Sequence, residues 1–238
     1  MRTLLVPGAG GAASYWYLVV DALRAAGHGA VAVDLPADDP ALGLPEYVDL
    51  VVDAGQQISG DGPLLVVGQS LGAFSAPTAA GRLGAAGVVL LNGMVPRAGE
   101  SAGEWWEATG QGAAMAAHDR REGRVPAAGP GDPAFDVETY FLHDVPEAVR
   151  AATTDGARPQ SGSVFAAPFP GWPDLPVRVV SAADDRFFPR AFQARVARER
   201  LGVEPDVVPG GHLAALSRPS EVTSALLRAA RAIGALPG

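Results

Sequence analysis

The chain has 238 residues, 48% hydrophobic and 18% charged, which is enough apolar material for a packed core and excludes a disordered chain. A formal net charge of −8 argues against nucleic acid or an anionic membrane surface as partner. All 18 basic residues are arginine and cysteine is absent. That excludes a P-loop or Schiff-base lysine, the Tyr-x-x-x-Lys pair of short-chain dehydrogenases, a disulfide framework and a thiolate nucleophile.

Thr3 to Val6 reads as a strand entering the loop Pro7-Gly8-Ala9-Gly10-Gly11, and Tyr15 to Ala26 carries apolar residues at helical spacing up to Gly27. Val31 to Asp34 reads as a second strand and residues 46–58 as a helix. Leu64 to Val67 is a third strand, Ser75 to Leu83 lies in a following helix, and Gly87 to Leu91 is a fourth strand. Each strand is a short continuous apolar run alternating with a helix, so the expected fold class is α/β with a mostly parallel sheet covered by helices on both faces.

From about Met94 the alternation stops. The segment 94–173 is rich in aromatics and in Pro/Gly joints, and is expected to be an inserted, mainly helical cap on a core formed by residues 1–93 and 174–238. Within it, Asp144-Val145-Pro146-Glu147 fits a capping box opening a helix to about Thr153. Val177 to Ser181 restores the sheet, Arg190 to Leu201 is a helix, Val203 to Val208 a last strand, and Ser217-Arg218-Pro219-Ser220 starts the C-terminal helix.

The third strand runs into Gly68-Gln69-Ser70-Leu71-Gly72, a Gly-x-Ser-x-Gly between a strand and a helix. That pattern suits a nucleophile elbow, where glycines relieve crowding around an outward-held serine. A serine nucleophile needs a base and the base needs an orienting carboxylate. Ala182-Ala183-Asp184-Asp185 and Pro209-Gly210-Gly211-His212 supply them after later strands, and Ser70, Asp185, His212 is the Ser-Asp-His order of one known triad topology. Asp185 is preferred as the acid, with Asp184 supporting the turn. The expected oxyanion donors are the backbone N–H groups of Leu71, at the start of the helix, and Ala9, in the glycine loop.

At these residues the chain resembles the α/β-hydrolase superfamily, in particular the plant methyl esterases and hydroxynitrile lyases with their bacterial relatives. The stretches concerned are Leu5 to Gly10 with Tyr15-Trp16, Gly68 to Gly72, Asp185 to Pro189, and Gly211 to Ser217. The resemblance implies Ser70 as nucleophile, His212 as base, Asp185 as acid, and the Ala9 and Leu71 amides as oxyanion hole. The family usually has His-Gly where Pro7-Gly8 stands and often histidine where Gln69 stands. The lyases carry threonine at the place of Gly8 and lysine at that of Leu213, and both departures favour ester hydrolysis over cyanohydrin cleavage.

The expected function is therefore a cofactor-independent serine hydrolase acting on a small, largely apolar carboxylic ester through an acyl-enzyme. The same fold also serves lactonases, C–C hydrolases and lyases. A rival reading is an NAD(P)-binding Rossmann oxidoreductase, since Gly8-Ala9-Gly10-Gly11-Ala12-Ala13 fits G-x-G-x-x-A and Asp34 ends the next strand. Gly8, Gly10, Trp105, Trp106, Phe141 and Leu213 are expected to line the substrate pocket, and His143 to be structural. The histidines show no metal-ligand spacing, so no metal or cofactor is expected. No signal peptide and no apolar run of about 18 residues is seen, so a cytoplasmic location is expected.

Overall fold

A computed structural model describes residues 1–127, 129–133, 135–153, 156 and 158–237. Six strands form one sheet: β1 (Arg2–Val6), β2 (Gly29–Ala32), β3 (Leu64–Gln69), β4 (Gly87–Leu91), β5 (Val177–Ala182) and β6 (Asp206–Val208). Their spatial order is β2-β1-β3-β4-β5-β6 and every pairing is parallel. The chain leaves β1 toward β2, then returns to place β3 on the other side of β1. The loops after β1 and β3 therefore diverge at a switch in strand order, the place where open α/β sheets bind ligands.

Successive side chains of each strand go to opposite faces, and each face has its own core. Leu4, Val6, Val66, Val88, Leu90 and Val179 pack with α2 (Leu44–Gln56), α3 (Ala76–Arg82), α7 (Arg190–Leu201) and the segment between β4 and β5. Leu5, Leu65, Val67, Val89, Leu91 and Val180 pack with α1 (Tyr17–Ala25), α8 (Ala214–Ser217) and α9 (Pro219–Ala232). Burial on both faces is why these strands read as unbroken apolar runs rather than alternating ones.

Several boundaries shift by one to a few residues from the sequence reading, and three of the differences have a clear cause. β2 begins at Gly29 and ends at Ala32, two residues early, because it pairs in register with Arg2 to Leu5 of β1; Asp34 lies beyond it. β6 begins only at Asp206, since Pro205 has no N–H to give a ladder. The third difference concerns Asp144. Helix α6 (Glu147–Thr153) starts after Pro146, whose carbonyl takes the N–H groups of Val149 and Arg150, so Asp144 lies outside the helix and forms no capping box. Its carboxylate goes elsewhere, as described below.

Between β4 and β5 the described residues contain no strand, only an isolated bridge from Ser101 to Pro168. They form α4 (Ala102–Thr109), α5 (Gln111–Arg121), a π-helical turn Glu138–Leu142, α6 and a 3-10 turn Gly162–Phe165. α4 opens on a capping box in which Ser101 Oγ accepts from Glu104 N–H at 3.2 Å and Glu104 accepts from Ser101 N–H at 2.8 Å. The start of the segment is tied to α7 by a buried Arg200–Glu100 ion pair, with Arg200 also donating to Val95 O at 2.8 Å. Among the described residues no helix is long and apolar enough to cross a membrane.

Candidate active site

Ser70 follows β3 directly, at φ +48°, and opens a 3-10 turn Ser70–Ala73 ahead of α3. A left-handed backbone is costly for a residue with a Cβ, on the order of 1–3 kcal/mol, and persists only where the surroundings enforce it. Here they do. A Cβ on Gly68 would stand 2.7 Å from Gly72 O, and one on Gly72 would stand 2.5 Å from Pro7 O. The two glycines flanking Ser70 thus let the turn press against its own strand and against the end of β1, while Ser70 O accepts from Met94 N–H at 3.0 Å.

The three residues drawn from separate strand ends meet in a line. Ser70 Oγ lies 3.1 Å from His212 Nε2, and His212 Nδ1 lies 2.8 Å from Asp185 Oδ2. All three are buried, His212 and Asp185 almost completely. Asp185 accepts from four donors. Phe187 and Phe188 N–H reach Oδ1 at 2.9 and 2.8 Å, and Gln193 Nε2 reaches Oδ2 at 3.2 Å beside the His212 bond. With its lone pairs so occupied, the carboxylate is held in one orientation. The neighbouring Asp184 points away, accepting from Gly210 N–H at 3.2 Å while its own N–H donates to Gly210 O at 2.9 Å.

The glycine loop after β1 packs against the serine turn. A Cβ on Gly8 would lie 2.4 Å from Gln69 Oε1 and 2.9 Å from Ser70 Cβ, so only glycine fits there without a shift. Gly11 N–H closes the loop on Gly8 O at 3.2 Å, with Gly10 at φ +87°. Ala9 is exposed, and among the described residues its N–H has no protein partner. Leu71 N–H lies in the first turn after the strand, where helical donors lack an internal acceptor.

Of the aromatics expected near the site, Phe141 comes closest, its ring centroid 5.3 Å from that of His212. Phe187 and Phe188 flank the same imidazole at 5.3 and 4.9 Å, although their sequence position beside Asp185 singled out only the carboxylate. Trp105 is fully buried. Its indole N–H donates to Val95 O at 2.9 Å and its ring packs on Phe188 and Phe192, so it supports the site from behind. Trp106 packs at a tilt on Phe187 and Phe188 and is only partly buried, and Leu213 is half-buried beside His212.

Several site residues left no readable mark in the sequence. Asn92, completely buried at the end of β4, has φ +46° and donates through Nδ2 to His212 O at 3.0 Å and Gly211 O at 3.3 Å. Its Oδ1 accepts from Ala182 N–H at 2.7 Å, so one amide spans the ends of β4 and β5 and the His212 loop. Asparagine's tolerance of left-handed backbone is the only local hint. The segment 139–144 also grips the loops of Asp185 and His212: Arg186 donates to Thr139 O at 3.1 Å, His143 Nε2 to Asp184 O at 3.2 Å, and Gly211 N–H to Asp144 Oδ2 at 2.8 Å. Burial, assisted by the Arg186 charge, holds the His143 imidazole below its ordinary 6.5.

Asp34, the acid of the dinucleotide reading, is a loop anchor. It pairs with Arg158 at 2.7 Å and accepts from Ala13 N–H at 3.1 Å, and the Arg158 hydrogen bond holds its carboxyl below the usual range. The glycine loop leads into a 3-10 turn, Ala13–Trp16, in place of an α-helix N-terminus that would receive a phosphate. Among the described residues no group of three or more His, Cys, Asp or Glu is placed to hold a metal ion.

Comparison with known proteins agrees with this architecture. A model described as "Alpha/beta hydrolase family" matches residues 3–226. Two curated proteins from Oryza sativa, subspecies indica and japonica, each named "Probable esterase PIR7A", are 38% identical over 109 residues. That match spans 42% of this chain and 41% of the relative, so the chain covers well under half the length of these relatives. Solved structures of similar shape include a pyrethroid hydrolase from Sphingobium faniae JZ-2, with TM-score 0.73, 21% identity and 98% of each chain covered. Polyneuridine aldehyde esterase gives 0.74 at 19% identity, covering 95% of this chain and 98% of the other. Methylesterase MES16 from Arabidopsis gives 0.73 at 18% identity, covering 97% and 99%. At such identities these structures speak for the fold alone. With the family model matching most of this chain, residues 3–226, the chain belongs to the alpha/beta hydrolase family.

Proposed function

We propose that this protein is a serine hydrolase that cleaves a small, largely apolar carboxylic ester through an acyl-enzyme. The observation that carries the reading is the buried Ser70–His212–Asp185 line, with its two hydrogen bonds of 3.1 and 2.8 Å and the serine on a left-handed turn. Ser70 Oγ attacks the ester carbonyl while its proton passes to His212 Nε2, and Asp185 keeps the imidazole oriented through Nδ1–H. The Ala9 and Leu71 N–H groups receive the oxyanion. Collapse of the tetrahedral adduct expels the alcohol, which takes the proton from His212. A water then attacks the acyl-enzyme, again losing its proton to His212, and the carboxylic acid leaves as Ser70 regains its hydrogen.

The aromatic wall of Phe141, Phe187 and Phe188 around His212 supports an apolar substrate. Segment 94–173 is proposed to act as the cap that brings part of this wall to the core. The names of relatives called esterases and hydrolases point the same way. The tight place at Gly8 supports ester hydrolysis over the lyase reaction, since a threonine side chain there would collide with Gln69 and Ser70.

A fluorophosphonate probe followed by peptide mass mapping tests the reading, together with a panel of p-nitrophenyl esters of increasing acyl length. Modification at Ser70 and ester turnover lost in Ser70→Ala are expected. An unlabelled Ser70, or Ser70→Ala turning over at the wild-type rate, would overturn it.

A further inference from the structure

We propose that Gln160, in the segment between β4 and β5, is the positioning residue of the oxyanion loop; this rests on the serine hydrolase reading above. Gln160 Oε1 accepts from Gly10 N–H at 3.1 Å, across 150 positions of chain, and among the described residues it is the only side chain hydrogen-bonded to the backbone of Gly8 to Gly10. The peptide it grips is the one immediately after Ala9. With Gly10 at φ +87°, rotation of that peptide would withdraw the Gly10 N–H from Gln160 and swing the Ala9 carbonyl in its place. An acceptor fixed opposite the N–H therefore selects one of two orientations of a glycine-rich turn that has little stiffness of its own.

Gln160 is itself held firmly enough to act as a reference point. Its two Nε2–H donors lie within reach of three acceptors, Ala37 O at 3.3 Å, Tyr47 Oη of α2 at 3.2 Å and Ser161 O at 3.2 Å. Its neighbours bind the loop after β2: Arg158 pairs with Asp34 and donates to Leu35 O at 3.0 Å, Ser161 N–H donates to Ala37 O at 2.7 Å, and Ser163 Oγ donates to Pro40 O at 2.6 Å. Residues 158–163 thus form a strap across the loop after β2, and Gln160 is the one side chain of the strap that reaches the loop after β1. Ala9 N–H needs a fixed direction to hold an oxyanion, because preorganised donors are worth far more than donors that must be ordered during reaction. By fixing the following peptide, which shares the Ala9 Cα, the strap steadies the turn that carries this N–H from 150 positions away.

The test is a comparison of wild type with Gln160→Leu and Gln160→Glu, using a p-nitrophenyl ester as substrate and an alkyl trifluoromethyl ketone as the tetrahedral mimic. Gln160→Leu removes the acceptor; Gln160→Glu keeps one for Gly10 N–H. For Gln160→Leu, kcat is expected to fall about tenfold with little change in KM, a fraction of what losing an oxyanion donor outright costs. Affinity for the ketone should fall by the same factor as kcat/KM, and Gln160→Glu should recover most of both. If Gln160→Leu does not fold, Gln160→Asn, one methylene short of Gly10, carries the same expectation. Kinetics unchanged in the folded Leu or Asn variant, or a lower kcat with undiminished ketone affinity, would overturn the assignment. Failure of the underlying reading registers separately, as wild-type enzyme whose Ser70 takes no fluorophosphonate, and it would remove this inference as well.

Discussion

The carboxylate of Asp144 accepts the backbone N–H of Gly211 at 2.8 Å, so a residue of the segment between β4 and β5 holds the turn that presents His212. The same contact accounts for the glycine pair ahead of the histidine. A Cβ on Gly211 would stand 2.7 Å from His143 Cε1 and 2.8 Å from Asp144 Oδ1, and Gly210 sits at φ +105°. Asp144→Ala should lower kcat about tenfold and cost about 1.5–3 kcal/mol of stability, the range for a hydrogen bond to a charged group. Asp144→Asn, which keeps an acceptor, should lose less of both. Ester kinetics and urea unfolding on the two variants check this, and equal losses would contradict it.

Asp184 and Asp185 are adjacent but face different partners, His212 for Asp185 and Gly210 for Asp184. Asp185→Asn should reduce kcat by about 10⁴, the scale expected when the base is left in the wrong tautomer. Asp184→Asn should stay within about tenfold of wild type, because an amide oxygen can still accept from Gly210 N–H. The reverse order would exchange the two roles.

Asn92 satisfies three backbone groups in a fully buried place and does so at φ +46°. Asn92→Ala would leave the Ala182 N–H without its acceptor and put a strained methyl-bearing residue on a left-handed turn. A loss of about 2–4 kcal/mol is expected from those two effects. Asn92→Gly, free of the backbone strain, should recover part of it. Denaturant midpoints for the three proteins decide the matter.

Trp105 and Phe141 should separate cleanly by assay. Truncating the buried Trp105 to alanine should cost about 3–5 kcal/mol of stability, as for other large core residues. Phe141, half-buried against His212, should instead change the preferred acyl or alcohol size when shortened to alanine, with a smaller loss of stability. Thermal unfolding beside the p-nitrophenyl ester panel measures both.

His28, His118 and His143 are each held below 6.5, in every case chiefly by burial. A histidine whose folded value is depressed binds its proton more readily in the unfolded chain, so its contribution is complete above pH 6.5 and is lost as pH falls toward the folded value. At His143 the Arg186 charge acts with burial, while Asp144, Asp184 and Asp185 oppose it. Stability should therefore decline between about pH 6.5 and 5, before the carboxylates titrate. His143→Gln should flatten that decline when urea midpoints are followed across this range.

Much of the molecule was legible in the order of residues because its causes are local. Unbroken apolar runs such as Leu64 to Val67 announce strands buried on both faces, and Gly68 and Gly72 announce a crowded turn around Ser70. Gly-Gly before His212 and Asp-Asp after β5 marked loops with a purpose. Local pattern misled where a distant partner outbid it. Asp144 looks like a helix cap until Gly211, 67 positions away, takes its carboxylate.

What the sequence by itself determined, then, is the parallel α/β sheet and the three strand ends where Ser70, Asp185 and His212 stand, since apolar period and glycine spacing act within a few residues. Tertiary structure alone decided which of two adjacent aspartates faces the imidazole, that Trp105 lies behind the aromatic wall and Phe141 within it, and that Asn92, Asp144, Gln160 and Gln193 brace the site. A hydrogen bond needs its two atoms within about 3 Å whatever their separation along the chain, and only the fold sets that distance.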